Sequence, residues 1–148
     1  DEFFASSLQK HLPATGSVIV WNERFEKGIN TQISERVPEY KVFIESLNNR
    51  IVDLMIPFYG KTTMYDHPKF KGSASIKYVL PALVPHLSYK DMHIKEGGTA
   101  SDTWNRIVSG EYSEDDKNIE IQALKDYCHL DTLAMVEIWK VLDNLHTL

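Results

Sequence analysis

The sequence holds a single cysteine, Cys128, in 148 residues. That excludes an internal disulfide and any zinc site built on several thiolates, and it fits a reducing compartment. Long hydrophobic runs are missing as well. The longest fall far short of the about 18 apolar residues that a membrane span needs, and no charged-then-apolar signal opens the chain. The expectation is a cytoplasmic protein without a membrane partner. Cations are in the minority, with 16 Lys and Arg against 21 Asp and Glu and a net charge of −5. Non-specific grip on nucleic acid comes from cations neutralising phosphates, so any strand must be held locally or through metal ions. The six histidines are scattered without metal-ligand spacing. A Gly-rich phosphate loop, a G-x-S-x-G elbow and an H-E-x-x-H pair are all absent, which removes P-loop, hydrolase-elbow and zincin chemistry.

What is present is enough apolar residue, 43%, for one domain spanning 1–148 with a real core. Residues 2–12 place Phe3, Phe4, Leu8 and Leu12 at helical spacing and stop at Pro13. Ser17 to Asn22 is a short β-branched run that reads as a buried parallel strand, and Glu23 to Val37 reads as the helix leaving its carboxyl end, with Phe25, Ile29 and Ile33 four apart. Another helix from Pro38 to Asn49 leads into a second strand, Arg50 to Pro57. Strand, helix, strand in that order predicts an α/β fold with a parallel sheet, whose ligands sit at the carboxyl ends of its strands.

Phe58 to Gly72 mixes aromatics with Lys61, Lys69 and Lys71 and has no helical period. Such a loop suits contact with single-stranded nucleic acid, and equally suits a solvated connection with ordinary packing aromatics. Ser73 to Leu83 reads as a helix that Pro81 ends or kinks, followed by a loop from Val84 to Lys95, then Gly97-Gly98 and a helix through Ala100, Trp104, Ile107 and Val108 that ends at Gly110. The capping pattern Ser113-Glu114-Asp115-Asp116 opens the last helical region.

Within that region Leu124, Cys128, Met135, Ile138, Trp139, Leu142 and Leu145 recur at three and four residue steps, and Asp131 falls on the same stripe. A buried unpaired charge costs several kcal/mol or more, so such an acid faces a metal, a cation or strong donors, or lines a cleft. The alternative is a helix break near His129, with Asp131 capping a second helix from Thr132. Glu26 and Asp53 likewise interrupt apolar surroundings. Carboxylates gathered at a sheet edge are what Mg²⁺ or Mn²⁺ requires, although spacing does not show that they converge.

Tyr127-Cys128-His129-Leu130-Asp131 resembles the third motif of the exonucleases with four acidic metal ligands and an added tyrosine, in the form found in family B DNA polymerase proofreading domains. Trp21-Asn22-Glu23-Arg24-Phe25-Glu26 resembles their second motif, and Gly72 to Leu80 resembles the helix start between the two. The combination W-N-x-x-F-E, I-V-D-L, K-G-S-x-S-I-K-x-V-L-P and Y-C-x-x-D-T is also similar to an uncharacterised bacterial domain family of unknown function.

The resemblance implies a ribonuclease H-like three-layer fold and a 3′–5′ exonuclease acting on the 3′ end of single-stranded DNA or RNA with two Mg²⁺ or Mn²⁺ ions. It makes Glu26 and Asp131 the metal ligands, Tyr127 the residue that orients the attacking water, and Asn22 a positioning residue. Lys69, Lys71 and Lys77 are then candidates for nucleic-acid binding. No motif covers Asp53, which reads as a hydrogen-bonded structural acid.

Two departures stand out. Glu26 replaces the usual Asp, and the first motif, D-x-E on a strand, is absent because Asp1-Glu2-Phe3 opens a helix. The expectation is a helix-rich fragment of a longer polypeptide whose upstream part supplies the first strands, and which is inactive by itself. The rival expectation is a catalytically degenerate module of the same fold that binds nucleic acid or protein.

Overall fold

The computed structural model describes residues 1–59 and 64–145. Lys61 of the basic loop lies outside them. The chain forms two compact units, Asp1–Asp66 and His67–Leu148, and it is a helix-rich α/β structure whose described strands form one parallel pair.

In the first unit, helix α1 (Glu2–His11) precedes strand β1 (Val18–Val20), helix α2 (Glu23–Arg36), helix α3 (Lys41–Asn48) and strand β2 (Ile51–Asp53). Pro38 sits at the start of a 3₁₀ turn, Pro38–Tyr40, that joins α2 to α3; its missing N–H costs nothing there because a helix start leaves that donor unpaired. The strands pair in parallel with Val18 opposite Ile51, Ile19 opposite Val52 and Val20 opposite Asp53. A parallel pair needs a long crossover, and α2 and α3 supply it. Both strands are shorter than their apolar runs predict. The backbone turns from the ladder at Trp21 and at Leu54, and β1 is half-buried rather than buried.

The core of this unit is also smaller than the apolar spacing implies. Ala5, Ile33 and Ile44 are buried against Val37, Tyr40 and Phe43. Phe25 and Ile29, two turns and one turn before Ile33, are exposed, as are Phe3 and Phe4. Trp21 stacks on the buried Phe58 with ring centroids 5.7 Å apart, and Phe58 meets Tyr65 edge-on at 5.9 Å. Those aromatics of the Phe58 to Gly72 stretch pack as structure.

In the second unit, a 3₁₀ turn at Pro68–Phe70 leads to helix α4 (Ile76–Leu83), helix α5 (Gly97–Val108) and helix α6 (Glu114–Leu145). Pro81 lies inside α4, which continues past it to Leu83. Both α4 and α5 pack on α6. Phe70, Val79, Leu80, Ile94, Ala134 and Ile138 are almost wholly buried, and complete burial of a Leu or Ile side chain contributes about 1.5–3 kcal/mol.

Helix α6 runs 32 residues without interruption, which removes the break near His129 and any capping role for Asp131. Ser113 starts it as its pattern predicts: its Oγ accepts the Asp116 N–H at 3.2 Å and donates to the Asp116 carboxylate at 2.6 Å. The buried face is Ala123, Leu130, Ala134 and Ile138, with Tyr127 half-buried on it. Cys128, Trp139 and Leu145, assigned to the apolar stripe from spacing, are exposed. On α5 the same rotation applies: Thr103 and Ile107 face inward while Trp104 and Val108 are exposed.

Candidate functional site

Asn22 and Glu26 lie where the first strand hands over to α2, at the carboxyl end of β1 as predicted. Asn22 adopts the left-handed conformation, φ 72° and ψ 74°, which Asn tolerates better than most residues. Its side chain is not used to cap α2. The cap comes from Asp53 at the end of β2, whose Oδ1 accepts the Asn22 N–H at 2.9 Å and whose Oδ2 accepts the Glu23 N–H at 3.0 Å. The Met55 N–H adds a third hydrogen bond, to Oδ1 at 2.9 Å. A carboxylate placed against the free N–H groups of a helix start also favours the helix dipole. Asp53 is thus a structural acid that ties β2 to the β1–α2 turn. Asn22 is exposed, Glu26 is half-buried on the first turn of α2, and Asn22, Arg24, Phe25, Gly28, Ile29 and Gln32 line a cavity of about 390 Å³.

The second unit contains the other acid. Asp131 accepts a hydrogen bond from the hydroxyl of Tyr89 at 2.6 Å. Tyr89 is 4% exposed, so its hydroxyl is held where few waters reach. Tyr127, one turn before Asp131 on α6, packs on Tyr89 with ring centroids 6.0 Å apart. Its ring lies one helical turn from the Asp131 carboxylate, close enough to feel its charge. Burial, then the negative charge of Asp131, push the Tyr127 pKa up to about 12. Burial first, and then the bond to Asp131, hold Tyr89 further above the ordinary phenol range. Both phenols therefore stay protonated at neutral pH and available as donors. Burial and the Asp131 charge also raise the Cys128 thiol, so it is a poor thiolate. Gly97, the first residue of α5, lies close by: a methyl group there would sit 3.7 Å from the Tyr127 hydroxyl.

Tyr89 carried no signal in the sequence. It sits in the irregular stretch between α4 and α5, where no period or motif marks it, and only its tertiary contact with Asp131 reveals it. Tyr89 also lines a cavity of about 410 Å³ with Ser75, Lys77, Tyr78, Ser88, Lys90, Lys95 and Glu96. Of the lysines predicted to meet nucleic acid, Lys77 belongs to this cavity and lies 3.7 Å from Glu96. Lys69, in the 3₁₀ turn, and Lys71 after it are exposed and do not line it.

Hard divalent cations take six or more oxygen ligands, several of them usually carboxylates. Among the described residues no three His, Cys, Asp or Glu side chains gather as a metal-binding group, and the side chain hydrogen-bonded to Asp131 is the Tyr89 phenol, acting as a donor. These residues alone do not fit the two-ion centre that the motifs imply. Among the described residues, no helix is long and apolar enough to cross a membrane.

No curated protein and no solved structure matches the chain. A family model does match, over residues 1–75, a stretch that includes Asn22, Glu26 and Asp53 and stops short of Tyr127 and Asp131. That match takes in half of the sequence, and the chain belongs to the family described as Domain of unknown function (DUF2779).

Proposed function

We propose that the chain is part of a metal-dependent 3′–5′ exonuclease-like domain of ribonuclease H-like fold that hydrolyses phosphodiesters of DNA or RNA. In this reading Asp131 is the last acid of the site, Glu26 is the second-motif acid, and Tyr127 orients the attacking water. The observation that carries it is the Tyr127–Asp131 pair, one turn apart on α6 and half-buried, with the carboxylate charge acting on the phenol. A protonated phenol can hold a water by donating or accepting without competing as a base, and the raised Tyr127 pKa keeps it in that form. Asn22, exposed at the end of β1, positions the strand.

The Mg²⁺ or Mn²⁺ requirement is met only with further carboxylates, which we assign to an upstream D-x-E segment of the same polypeptide. The 148-residue chain alone is then inactive. The test uses a 3′-labelled single strand with Mn²⁺, the longer polypeptide, and its Asp131→Ala variant. Stepwise loss of label from the unaltered protein and about 100-fold less from the variant is the expected result; equal degradation by both removes Asp131 from the site.

One observation favours a second reading, a catalytically degenerate binding module. The Asp131 carboxylate already accepts a hydrogen bond from the Tyr89 phenol, which gives it a partner without a metal. Strand binding without hydrolysis by the longer polypeptide would favour that reading.

A further inference from the structure

The cavity beside Tyr89 is basic inside an acidic chain. Lys77, Lys90 and Lys95 line it against one carboxylate, Glu96. Lys77 is close enough to Glu96 for a weak ion pair, while Lys90 and Lys95 are exposed and make no ion pair among the described residues. Ser75 precedes α4 without using its hydroxyl to cap the helix, which leaves that hydroxyl available at the cavity wall. Tyr78, 44% exposed, presents an aromatic ring at the same place. Ammonium groups and hydroxyls recognise phosphate oxygens, and an exposed ring beside them gives a base a face to stack on. At about 410 Å³ the space falls within the range of about 300–1,000 Å³ that small-ligand sites occupy.

We propose that this cavity binds a phosphate of single-stranded nucleic acid through Lys77, Lys90 and Lys95, with an adjoining base stacked on Tyr78. The choice of a nucleic acid as the source of the phosphate rests on the nuclease-like reading above. Tyr89 belongs both to the cavity wall and to the hydrogen bond that holds Asp131, so a strand seated here is fixed next to the tyrosine that orients the acid. The lysines supply affinity without base specificity, because a phosphate contact carries no sequence information.

The experiment measures binding of a fluorescent oligothymidylate of about 12 nucleotides to the 148-residue chain by anisotropy, with chelator present so that hydrolysis cannot interfere. Changing Lys90 and Lys95 together to Ala is expected to weaken binding about tenfold or more and to lower the salt slope by about two, one for each ammonium group taken away from a phosphate. Tyr78→Ala is expected to weaken it by about tenfold at every salt concentration. Changing Lys10 and Lys41 of the first unit together to Ala serves as the control and should leave binding as it was.

On the unaltered chain, bound strand should protect Lys90 and Lys95 from acetylation, which reads the site without a variant. Competition with inorganic phosphate and with thymidine monophosphate separates the sources: a strand site yields to the nucleotide at lower concentration than to phosphate. Equal displacement by the two, unchanged binding in the Lys90 and Lys95 variant, or unprotected lysines would overturn the proposal. Lysine-dependent binding by a longer polypeptide that does not hydrolyse the strand would instead overturn the nuclease reading and support this one.

Discussion

Tyr89 and Asp131, 42 positions apart, are joined by a 2.6 Å hydrogen bond from the phenol to Oδ1 of the carboxylate. The bond fixes the acid from the irregular stretch between α4 and α5, and Tyr127, one turn earlier on α6, packs its ring on Tyr89. An acid held by a neutral donor keeps its position without a neighbouring cation.

Replacing Tyr89 with Phe removes that bond while keeping the ring. A hydrogen bond to a charged partner contributes about 1.5–3 kcal/mol, and solvent access to Asp131 brings the expected loss to roughly 1–2 kcal/mol. Urea unfolding followed by far-UV circular dichroism, which reads the helices that make up the second unit, should show a lower midpoint with an unchanged slope. An unaltered midpoint would mean that the bond adds nothing to folding.

The two phenols also set an alkaline limit. Their folded pKa values lie above the unfolded value of about 10, so between those values the native state binds more protons than the unfolded chain. Stability from them is complete below pH about 10 and falls as the pH rises toward the Tyr127 value of about 12. Spectrophotometric titration should show two of the seven tyrosines ionising late. Tyr127→Phe should remove one late step and flatten the loss of stability over that interval. A Tyr127 that ionises with the exposed tyrosines would contradict its placement.

Asp53 accepts three backbone N–H groups from two segments. Asp53→Ala leaves all three without that acceptor and should cost roughly 2–3 kcal/mol, whereas Asp53→Asn keeps one acceptor oxygen and should cost about half as much. The neighbouring Asn22 offers a contrast. Asn22→Gly suits its positive φ and should change stability by less than about 0.5 kcal/mol, while Asn22→Val should cost more than about 1 kcal/mol. Thermal unfolding of the four variants checks the order, and an Asp53→Ala variant as stable as the parent would refute the capping role.

Ser113→Ala removes the cap of the longest helix. About 1 kcal/mol of stability should go with it, together with faster amide exchange confined to the first turn of α6. Unchanged exchange at residues 114–117 would show that the acidic first turn holds the helix start unaided.

How much of this was legible beforehand varies by residue. The helices at Glu23–Arg36 and Lys41–Asn48, the helix start at Glu114, the two strand-forming runs and the cap at Ser113 follow from local patterns: apolar period, β-branched runs and a hydroxyl before acids. Such signals are written within a few residues and survive folding because each is a short-range preference.

Which side of a helix faces inward was not legible. On α6 the buried line runs through Leu130 and Ala134 while Cys128 and Trp139 are exposed, because the faces of α4 and α5 decide which apolar residues are covered, and the chain carries more of them than it buries. The pairing of Tyr89 with Asp131 and of Asp53 with the Asn22 turn belongs to the same class. Each joins segments tens of residues apart, a side chain meeting a group with which it shares no local period. The sequence by itself therefore determined the elements and the Tyr127-x-x-x-Asp131 spacing. Tertiary packing alone decided that the Tyr89 phenol holds the acid, that Asp53 is a cap, and that lysines from separate segments line one cavity.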